Sequence, residues 1–544
     1  MRCLTLEVGS LGSVKCLQFS PMRPESPELI TKRSRYCLLA AGFCLWIILA
    51  WLGNKFGLPS ASAWVGATVL LMALWWISQP LPLWATALLP LLLFPLFGGL
   101  PFTQVLGAYF DPVNFLFFGG MLIAACMEQW MLHRRLALGI VSRLGVSPRR
   151  IVLGFILATG FITLWISNTA TALLMYPIGL AVLSKFAEQR PPEDPEIRRF
   201  GAALMLGIAY AASIGGVGSK IGTGPNMILV KQSAVAGLTD ISFLTWLKIG
   251  LPIVVVCLPL VWLYLVRIAE PVPDSEFVGG REAIESARAQ QGPMSRGECV
   301  ALAGFLTAAF LWTFRQEMDL GFIRIPGWAD SIPWTWKGLI GGAYQTLPAP
   351  LAKLLSSAGA ESQIAVGIGV GLMLVPIHFR PLQFALSHRA AKGIAWDMLI
   401  VLGGGFAMAE GIQRSGLSDV IAGGLKALPA IHPFLTLLAV ALLTTALSEV
   451  ASNVATVSIM LPLVAALAKG LGVHPAPLMF AATLAASFGF MLPAGTPPNA
   501  IVYASGYLTV PQMARNGLLV DVFGAVVIAV VCYWVAPWAL GLPR

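Results

Sequence analysis

Charged side chains are scarce in this chain. Asp, Glu, Lys and Arg make up 11% of its 544 residues, whereas they make up about 25% of a soluble globular domain. Apolar residues account for 57%, and the mean hydropathy is +0.80. This composition excludes a cytosolic enzyme, a disordered chain and a nucleic-acid-binding protein, because most of the surface has to face something other than water. The sequence therefore predicts a polytopic protein of the lipid bilayer.

Patterns typical of metal centres and catalytic sites are also missing. The five histidines are scattered, and the eight cysteines include no CxxC pair, so neither a zinc site nor a disulfide framework is predicted. The motifs GxSG and HExxH are absent. An intramembrane enzyme requires a nucleophile with a base, or paired acids, at one depth. It is therefore only a remote alternative.

What the chain does contain is a long series of apolar runs between residues 37 and 540. A transmembrane helix needs about 20 residues to cross about 30 Å of hydrocarbon. The runs at 150–183 and 433–468 are too long for one crossing and too short for two, and each has a Ser-Asn pair near its middle. Each is predicted to be a re-entrant hairpin, since irregular backbone at that depth has to line a cavity or be buried in protein. The predicted fold is all-α, with about eleven transmembrane helices and two re-entrant hairpins.

Basic residues predict the orientation. With the N-terminus in the cytoplasm, the outer segments at 54–62, 99–112 and 239–246 contain one basic residue, Lys55. The inner connectors contain Arg134, Arg135, Arg143, Arg149, Arg150, Lys185, Arg190, Arg198, Arg199, Arg267, Arg281, Arg288, Arg296, Arg380, Arg389 and Lys392. This bias follows the positive-inside rule. It predicts a multi-pass protein of the inner or plasma membrane, with its N-terminus in the cytoplasm and its C-terminus outside.

Two halves of the chain repeat each other. A shift of 285 residues aligns Ser167-Asn168-Thr169-Ala170-Thr171 with Ser452-Asn453-Val454-Ala455-Thr456. A shift of 273 aligns Gly222-Thr223-Gly224-Pro225-Asn226 with Gly495-Thr496-Pro497-Pro498-Asn499. In the predicted topology the first hairpin enters from inside and the second from outside, so the repeats are inverted. Inverted repeats with broken helices are typical of alternating-access secondary transporters.

The spans and the repeat divide the chain into six parts. These are a cytoplasmic N-terminal segment (1–36), the N-terminal spans (37–112), a first repeat core (113–268) with hairpin 150–183 and broken helix 201–238, a cytoplasmic linker (269–297), further spans with an outer loop at 315–361 (298–395), and a second repeat core (396–544) with hairpin 433–468 and broken helix 477–506.

The repeated motifs suit a cation and an anion together. Ser, Asn and Thr oxygens, with carbonyls freed where a helix unwinds, are hard neutral ligands for a monovalent cation. The helix N-termini after Pro225 and Pro498 offer free N–H groups and a positive dipole end to an anion. Because a compact dianion interacts with both repeats, a dicarboxylate is favoured over a monocarboxylate.

At these motifs the sequence resembles the divalent anion:sodium symporter family, the solute carrier 13 group that includes sodium-coupled citrate and dicarboxylate transporters. The resemblance runs from about Phe115 to Leu540. Its motifs are WISNTAT (165–171), YAASIGG (210–216), IGTGPN (221–226), SEVASNVAT (448–456) and SFGFMLPAGTPPNAIV (487–502). It implies a scaffold domain, a mobile transport domain, sodium as the coupling ion and a homodimer formed through the scaffold.

The resemblance also implies the residues of the site. The first sodium site would contain Thr163, Ser167, Asn168 and Gly222, and the second Ser448, Ala451, Asn453 and Gly495. Substrate would lie against Ser167, Asn168, Thr169, Ser452, Asn453, Val454, Thr496 and Pro497. The predicted function is sodium-coupled symport of C4 dicarboxylates (succinate, malate, fumarate), or of related di- or tricarboxylates, by elevator-type alternating access. The alternatives are a proton-coupled or exchange carrier of the same anions and a sulfate carrier.

Lys220 is a charge beside the first broken helix, where an apolar or small residue would be unremarkable. A buried ammonium costs several kcal/mol unless it is paired or reaches water. Three roles are open: it points to solvent, it takes the position of a sodium ion, or it titrates and makes the carrier proton-linked or an exchanger.

Overall fold

The structure is a computed structural model that describes residues 32–542 except 145–146, 189, 192–193, 236–240, 275–284, 287, 317, 320–323, 326, 329–360 and 426–431. The predicted cytoplasmic segment 1–36 lies almost wholly outside the described residues. So do part of the linker 269–297, most of the outer loop 315–361 and the last two residues of the chain.

The described residues are mainly helical. The helices are α1 (Lys32–Lys55), α2 (Ser60–Ser78), α3 (Leu83–Thr86), α4 (Leu89–Phe97), α5 (Phe102–Tyr109), α6 (Pro112–Gln129), α7 (Leu132–Leu144), α8 (Pro148–Thr163), α9 (Asn168–Glu188), α10 (Pro195–Gly216), α11 (Gly224–Val235), α12 (Phe243–Tyr264, continued by a π turn at Leu265–Ala269), α13 (Arg296–Thr313), α14 (Glu361–Leu374), α15 (His388–Ala391), α16 (Trp396–Arg414), α17 (Leu417–Leu425), α18 (Pro433–Ser448), α19 (Asn453–Leu471), α20 (Pro475–Ala485), α21 (Pro497–Tyr503) and α22 (Val510–Ala539).

Two short antiparallel hairpins depart from the predicted all-α fold. β1 (Met318–Asp319) pairs with β2 (Arg324–Ile325), and β3 (Pro376–Phe379) pairs with β4 (Leu382–Phe384). Pro376 follows the end of α14 closely, and a proline lacks the N–H that continues a helix. The chain therefore leaves the helix and satisfies its backbone groups by pairing with itself.

Length and composition of the helices fit a bilayer. Among the described residues, eight helices are long and apolar enough to cross a membrane: Ser34–Lys55, Ser60–Ser78, Phe102–Gln129, Asn168–Glu188, Pro195–Gly216, Phe243–Ala269, Asn453–Leu471 and Val510–Ala539. Four shorter apolar helices accompany them at Leu83–Phe97, Glu361–Leu374, Pro433–Ser448 and Pro475–Ala485. The chain is thus a multi-pass membrane protein, and the count of about eleven crossings stays a prediction.

The outer and inner helices differ in what their side chains face. On α22, the large apolar side chains of Leu519, Val522 and Trp534 are exposed, which suits a surface covered by lipid. By contrast, every residue of α10 from Phe200 to Gly216 is buried. A helix that is buried on all sides lies at the centre of the packing, so α10 is the core element to which the site is attached.

α10 begins at a well-defined cap. The Asp194 carboxylate accepts a hydrogen bond from the Glu196 N–H (2.9 Å) and forms an ion pair with Arg190 (3.0 Å). The bond from the Glu196 N–H, together with the bond from Arg190, lowers the pKa of Asp194. The start of α10 is therefore held by an ionised cap.

The helices are interrupted inside all four segments that the sequence predicts to be hairpins or broken helices. Residues 164–167 separate α8 from α9, and 449–452 separate α18 from α19. Residues 217–223 separate α10 from α11, and 486–496 separate α20 from α21. We refer to 164–169 and 449–454 as the first and second tips, and to 217–223 and 486–496 as the first and second breaks.

Local sequence explains why new helices start within the two tips and after the second break. The Ser167 and Ser452 hydroxyls accept from the N–H groups of Ala170 (3.3 Å) and Ala455 (3.2 Å), as N-caps do. Thr496 caps α21, whose first residues are prolines. Proline at the first helical position costs no hydrogen bond, so these residues favour a helix start there.

The predicted orientation gives a labelling experiment. In a cysteine-free background, Gln383→Cys should react with a membrane-impermeant maleimide only from the cytoplasmic side, and Ser356→Cys only from outside. Gln383 is exposed in β4, so the reagent is able to reach it. The check is labelling of right-side-out against inside-out vesicles. Reversed labelling of the two sites would overturn the orientation.

Candidate functional site

Each tip is held together by one hydroxyl and one amide. The Thr163 hydroxyl is 2.8 Å from Asn168 Oδ1 and 2.9 Å from the Ala212 carbonyl oxygen. The Ser448 hydroxyl is 2.9 Å from Asn453 Oδ1 and 2.5 Å from the carbonyl oxygen of Ala486. In each case the hydroxyl has one proton and two acceptors. The first triad joins the end of α8, the first tip and α10, and the second joins the end of α18, the second tip and the end of α20.

The two breaks show the same correspondence. The Asn226 amide group donates to the carbonyl oxygens of Gly216 (3.1 Å) and Ser219 (2.7 Å). The Asn499 amide group donates to the carbonyl oxygens of Gly489 and Leu492, both at 3.0 Å. Each asparagine thus satisfies two carbonyls that the interrupted helix leaves without a partner. The matched bonds support the internal repeat predicted from the sequence.

Glycine allows the first tip and the first break to approach closely. A Cβ atom at Gly216 would overlap Asn168 Oδ1, and one at Gly222 would overlap the carbonyl oxygen of Gly216. In the second break, a Cβ at Gly495 would be 3.1 Å from Glu449 Oε2 and 3.4 Å from the Gly489 carbonyl oxygen. The predicted ligands Asn168 and Gly222 therefore both lie beside Gly216, and Gly495 lies beside Glu449 of the second tip.

The helix that follows each break packs against helices of the other half of the chain. α21 packs against α9 and α10, while α11 packs against α19 and α20. A Cβ at Gly224 would lie 3.1 Å from Val454 Cγ2, so the start of α11 adjoins the second tip. No hydrogen bond in the described part of the chain joins the two tips directly.

Burial differs between the outer and deeper residues of the site. Ser167 and Pro497 are exposed, and Asn168, Thr169, Ser452 and Asn453 are half-buried. Thr163, Ser448, Ala451, Val454 and Thr496 are buried. The residues predicted to contact substrate are therefore mostly accessible, whereas the Thr163 and Ser448 hydroxyls, which are predicted to bind the cation, are buried.

The donor set fits a monovalent cation of the sodium type. Among the buried side-chain oxygens of the described residues that have no hydrogen-bond partner, six form three pairs at aligned positions: Thr171 and Thr456, Ser213 and Ser487, Asn226 and Asn499. An unpaired buried oxygen is costly unless an ion or water uses it. The C-terminal ends of α8 and α10, and of α18 and α20, also add free carbonyls and the negative ends of helix dipoles.

Sequence reasoning missed these six residues as possible ligands. The signal was present, because Thr171, Asn226 and their partners belong to the aligned blocks, and Ser213 aligns with Ser487. The alignment gives the positions of these residues but not the directions of their side chains. It therefore does not show that their oxygens are buried and lack a hydrogen-bond partner.

Glu449 anchors the second break. Its two carboxylate oxygens accept from the backbone N–H groups of Met491 (2.9 Å) and Leu492 (3.1 Å). Asp521 of α22 lies beside it and is itself buried. Asp521 was not predicted, since it is a single acid in a long apolar run.

The structure overturns the solvent-facing role considered for Lys220. Its side chain is 3% exposed, and its ammonium is 2.5 Å from Glu361 Oε2 and 2.6 Å from the Ile241 carbonyl oxygen. Glu361 was assigned to the outer loop 315–361, but it is the first residue of α14 and is buried. The charge of Lys220 is therefore balanced inside the protein.

The fold and the site together define a class: multi-pass membrane proteins whose paired helix interruptions enclose a polar site. Residues 33–540 match the family model for the sodium:sulfate symporter transmembrane region. The chain belongs to this family, which confirms the resemblance to the divalent anion:sodium symporters. It is accordingly a membrane transporter and not an enzyme.

Two similar proteins are named as sodium-dependent dicarboxylate transporters. The chain is 37% identical over 507 residues to the sodium-dependent dicarboxylate transporter SdcS of Staphylococcus saprophyticus, covering 93% of this chain and 92% of the relative. It is 36% identical over 488 residues to SdcS of Staphylococcus aureus strain USA300, covering 89% and 88%. The crystal structure of the Alcanivorax borkumensis YdaH transporter is 15% identical with a TM-score of 0.46, over 81% of this chain and 89% of that one.

Proposed function

We propose that this protein is a secondary active transporter of the plasma membrane that carries C4 dicarboxylates together with sodium ions. The observation that carries the proposal is the matched pair of tips, in which a hydroxyl and an asparagine amide meet at the ends of broken helices. The names of the two SdcS relatives support the choice of dicarboxylate and sodium.

The proposed roles follow from the two ends of the helices. Helix C-termini and the oxygens of the two hydroxyl and amide triads hold sodium, which is cargo and driving ion at once. Helix N-termini and the Ser-Asn pairs hold the carboxylates. The sodium ligands are Thr163, Ser167, Asn168 and Gly222 in the first repeat and Ser448, Ala451, Asn453 and Gly495 in the second. The substrate ligands are Ser167, Asn168, Thr169, Ser452, Asn453, Val454, Thr496 and Pro497.

Alternating access follows in this proposal from the inverted repeat. The hairpins and broken helices form a transport domain that moves in an elevator fashion against a scaffold, and two copies of the scaffold form a homodimer. The two hairpins return to opposite sides of the membrane. When the site opens toward one side of the membrane, one of the two tips therefore faces that side.

Substrate competition tests the charge of the cargo. Because the site lies between two helix N-termini, a dianion interacts with both, and a monoanion with one. Unlabelled succinate, malate or fumarate should inhibit uptake of radiolabelled succinate at least about tenfold more strongly than lactate or acetate, a difference of about 1.4 kcal/mol. Equal inhibition by lactate would contradict a two-ended site.

Sulfate is a second candidate, because the name of the family refers to a sodium:sulfate symporter. Sulfate is also a dianion, but it is compact and has no carbon chain to reach from one tip to the other. The same competition assay distinguishes the two. Inhibition by sulfate that equals inhibition by succinate would shift the proposal to an inorganic anion, and citrate measures the tolerance for a third carboxyl group.

A further inference from the structure

Glu361 is a buried carboxylate with an unusual set of partners. Its Oε2 is 2.5 Å from the Lys220 ammonium, and its Oε1 accepts from the Phe243 N–H at 2.8 Å. Arg315 lies 3.8 Å from the same oxygen. Because Phe243 is the first residue of α12, the carboxylate also lies at the positive end of that helix dipole. Both carboxylate oxygens of Glu361 therefore have partners inside the protein.

Lys220 connects this carboxylate to the first break. It lies in 217–223, two residues before Gly222, and its ammonium also donates to the Ile241 carbonyl oxygen at 2.6 Å. The neighbouring Ser219 hydroxyl donates to the carbonyl of Leu164 in the first tip. The first break is therefore tied to its own tip on one side and to the starts of α12 and α14 on the other.

The second break is fixed in a different way. Glu449, from the second tip, accepts directly from the Met491 and Leu492 backbone. At the shift that aligns the tips, Glu449 corresponds to Leu164, and at the shift that aligns the breaks, Lys220 corresponds to Pro493. Each break is thus held by a buried carboxylate, but the first repeat takes its carboxylate from α14, through a lysine.

We propose that Glu361, acting through Lys220, is a positioning residue for the first cation site. The ion pair holds the first break so that the Gly222 carbonyl and the oxygens beside it face the ion. This inference rests on the proposed function. Glu361 touches neither substrate nor ion: without it, the Lys220 charge is left buried and unpaired, and the break moves to solvate it.

The test is the sodium concentration that gives half-maximal succinate uptake into proteoliposomes. Glu361→Gln and Lys220→Met should each raise it at least tenfold, while the KM for succinate at saturating sodium stays within twofold. The double variant Lys220→Met/Glu361→Gln should raise it by less than the product of the two single effects, because it removes the Lys220 charge together with its Glu361 partner. A loss of folded carrier would lower only the maximal rate.

Lys231→Met is the matched control. Lys231 also forms an ion pair, with Asp111 at 2.6 Å, but it lies in α11 and not in the break. Its sodium activation curve should stay within twofold of the wild type. Glu361→Asp and Lys220→Arg keep both charges and should give intermediate values. These two variants are compared with the wild type in the same way if Glu361→Gln or Lys220→Met does not fold.

Two results separate the possible failures. If the wild type takes up succinate with sodium and the sodium curves of Glu361→Gln and Lys220→Met overlay it, the positioning role is wrong and the proposed function stands. Loss of maximal rate per folded carrier, at unchanged half-maximal sodium, also overturns the positioning role. If the wild type shows no sodium dependence, the proposed function itself fails.

Discussion

Replacing Asn168 or Asn453 by alanine should abolish sodium-driven succinate uptake. Each amide accepts from the hydroxyl that ties its tip together, and each is predicted to contact both cation and substrate. Removing an outer partner of a metal ligand already lowers affinity about 10- to 100-fold, so loss of a ligand itself should lower uptake by about 100-fold or more. The measurement is initial uptake by purified, reconstituted variants.

Folding should survive these changes. A hydrogen bond contributes about 1 kcal/mol to stability, and Asn168 and Asn453 are only half-buried. Asn114→Ala is the control, because it removes an amide that is more deeply buried and has two backbone partners, but that belongs to α6 and not to a tip. Uptake near the wild-type rate in the Asn168 or Asn453 variant would rule out a site made of two tips.

The second large effect is expected from Gly222→Ala. A Cβ there would overlap the Gly216 carbonyl oxygen, so the first break has to shift. Forcing an extra carbon into close packing costs about 1–3 kcal/mol, and about 1.4 kcal/mol corresponds to a tenfold change in an equilibrium. The sodium concentration for half-maximal uptake should therefore rise at least about tenfold.

Gly367→Ala is the control for the glycine experiment. A Cβ at Gly367 meets nothing within 4 Å, and the residue lies inside α14, where alanine favours the helix. This variant should transport like the wild type. A Gly222→Ala protein with unchanged sodium affinity and rate would show that the close approach in the first break has no part in cation binding.

Much of the architecture was predictable because the bilayer imposes strong rules. Length alone marks 150–183 and 433–468 as unusual, and the interruptions at 164–167 and 449–452 fall at their Ser-Asn pairs. The breaks follow from the Gly-Thr-Pro-type motifs, since proline and glycine end one helix and start the next. Their positions relative to a membrane stay predictions.

The Lys220–Glu361 pair was not predictable. The two residues are 141 positions apart, and no periodicity relates a residue in a break to the start of another helix. Glu361 is the last residue of the stretch assigned to the outer loop 315–361, so nothing in the sequence indicated that a helix begins there. The β3–β4 hairpin was also missed, because it begins at Pro376, just after the apolar run that forms α14.

Sodium-driven accumulation is the most direct test of the central claim. Proteoliposomes containing the purified protein are loaded with sodium-free buffer and given radiolabelled succinate, with sodium outside or with an equal concentration of potassium. The account predicts that succinate rises above its outside concentration only with the inward sodium gradient, and that an added sodium ionophore abolishes the accumulation. Equal uptake in potassium, or accumulation that survives the ionophore, would contradict it.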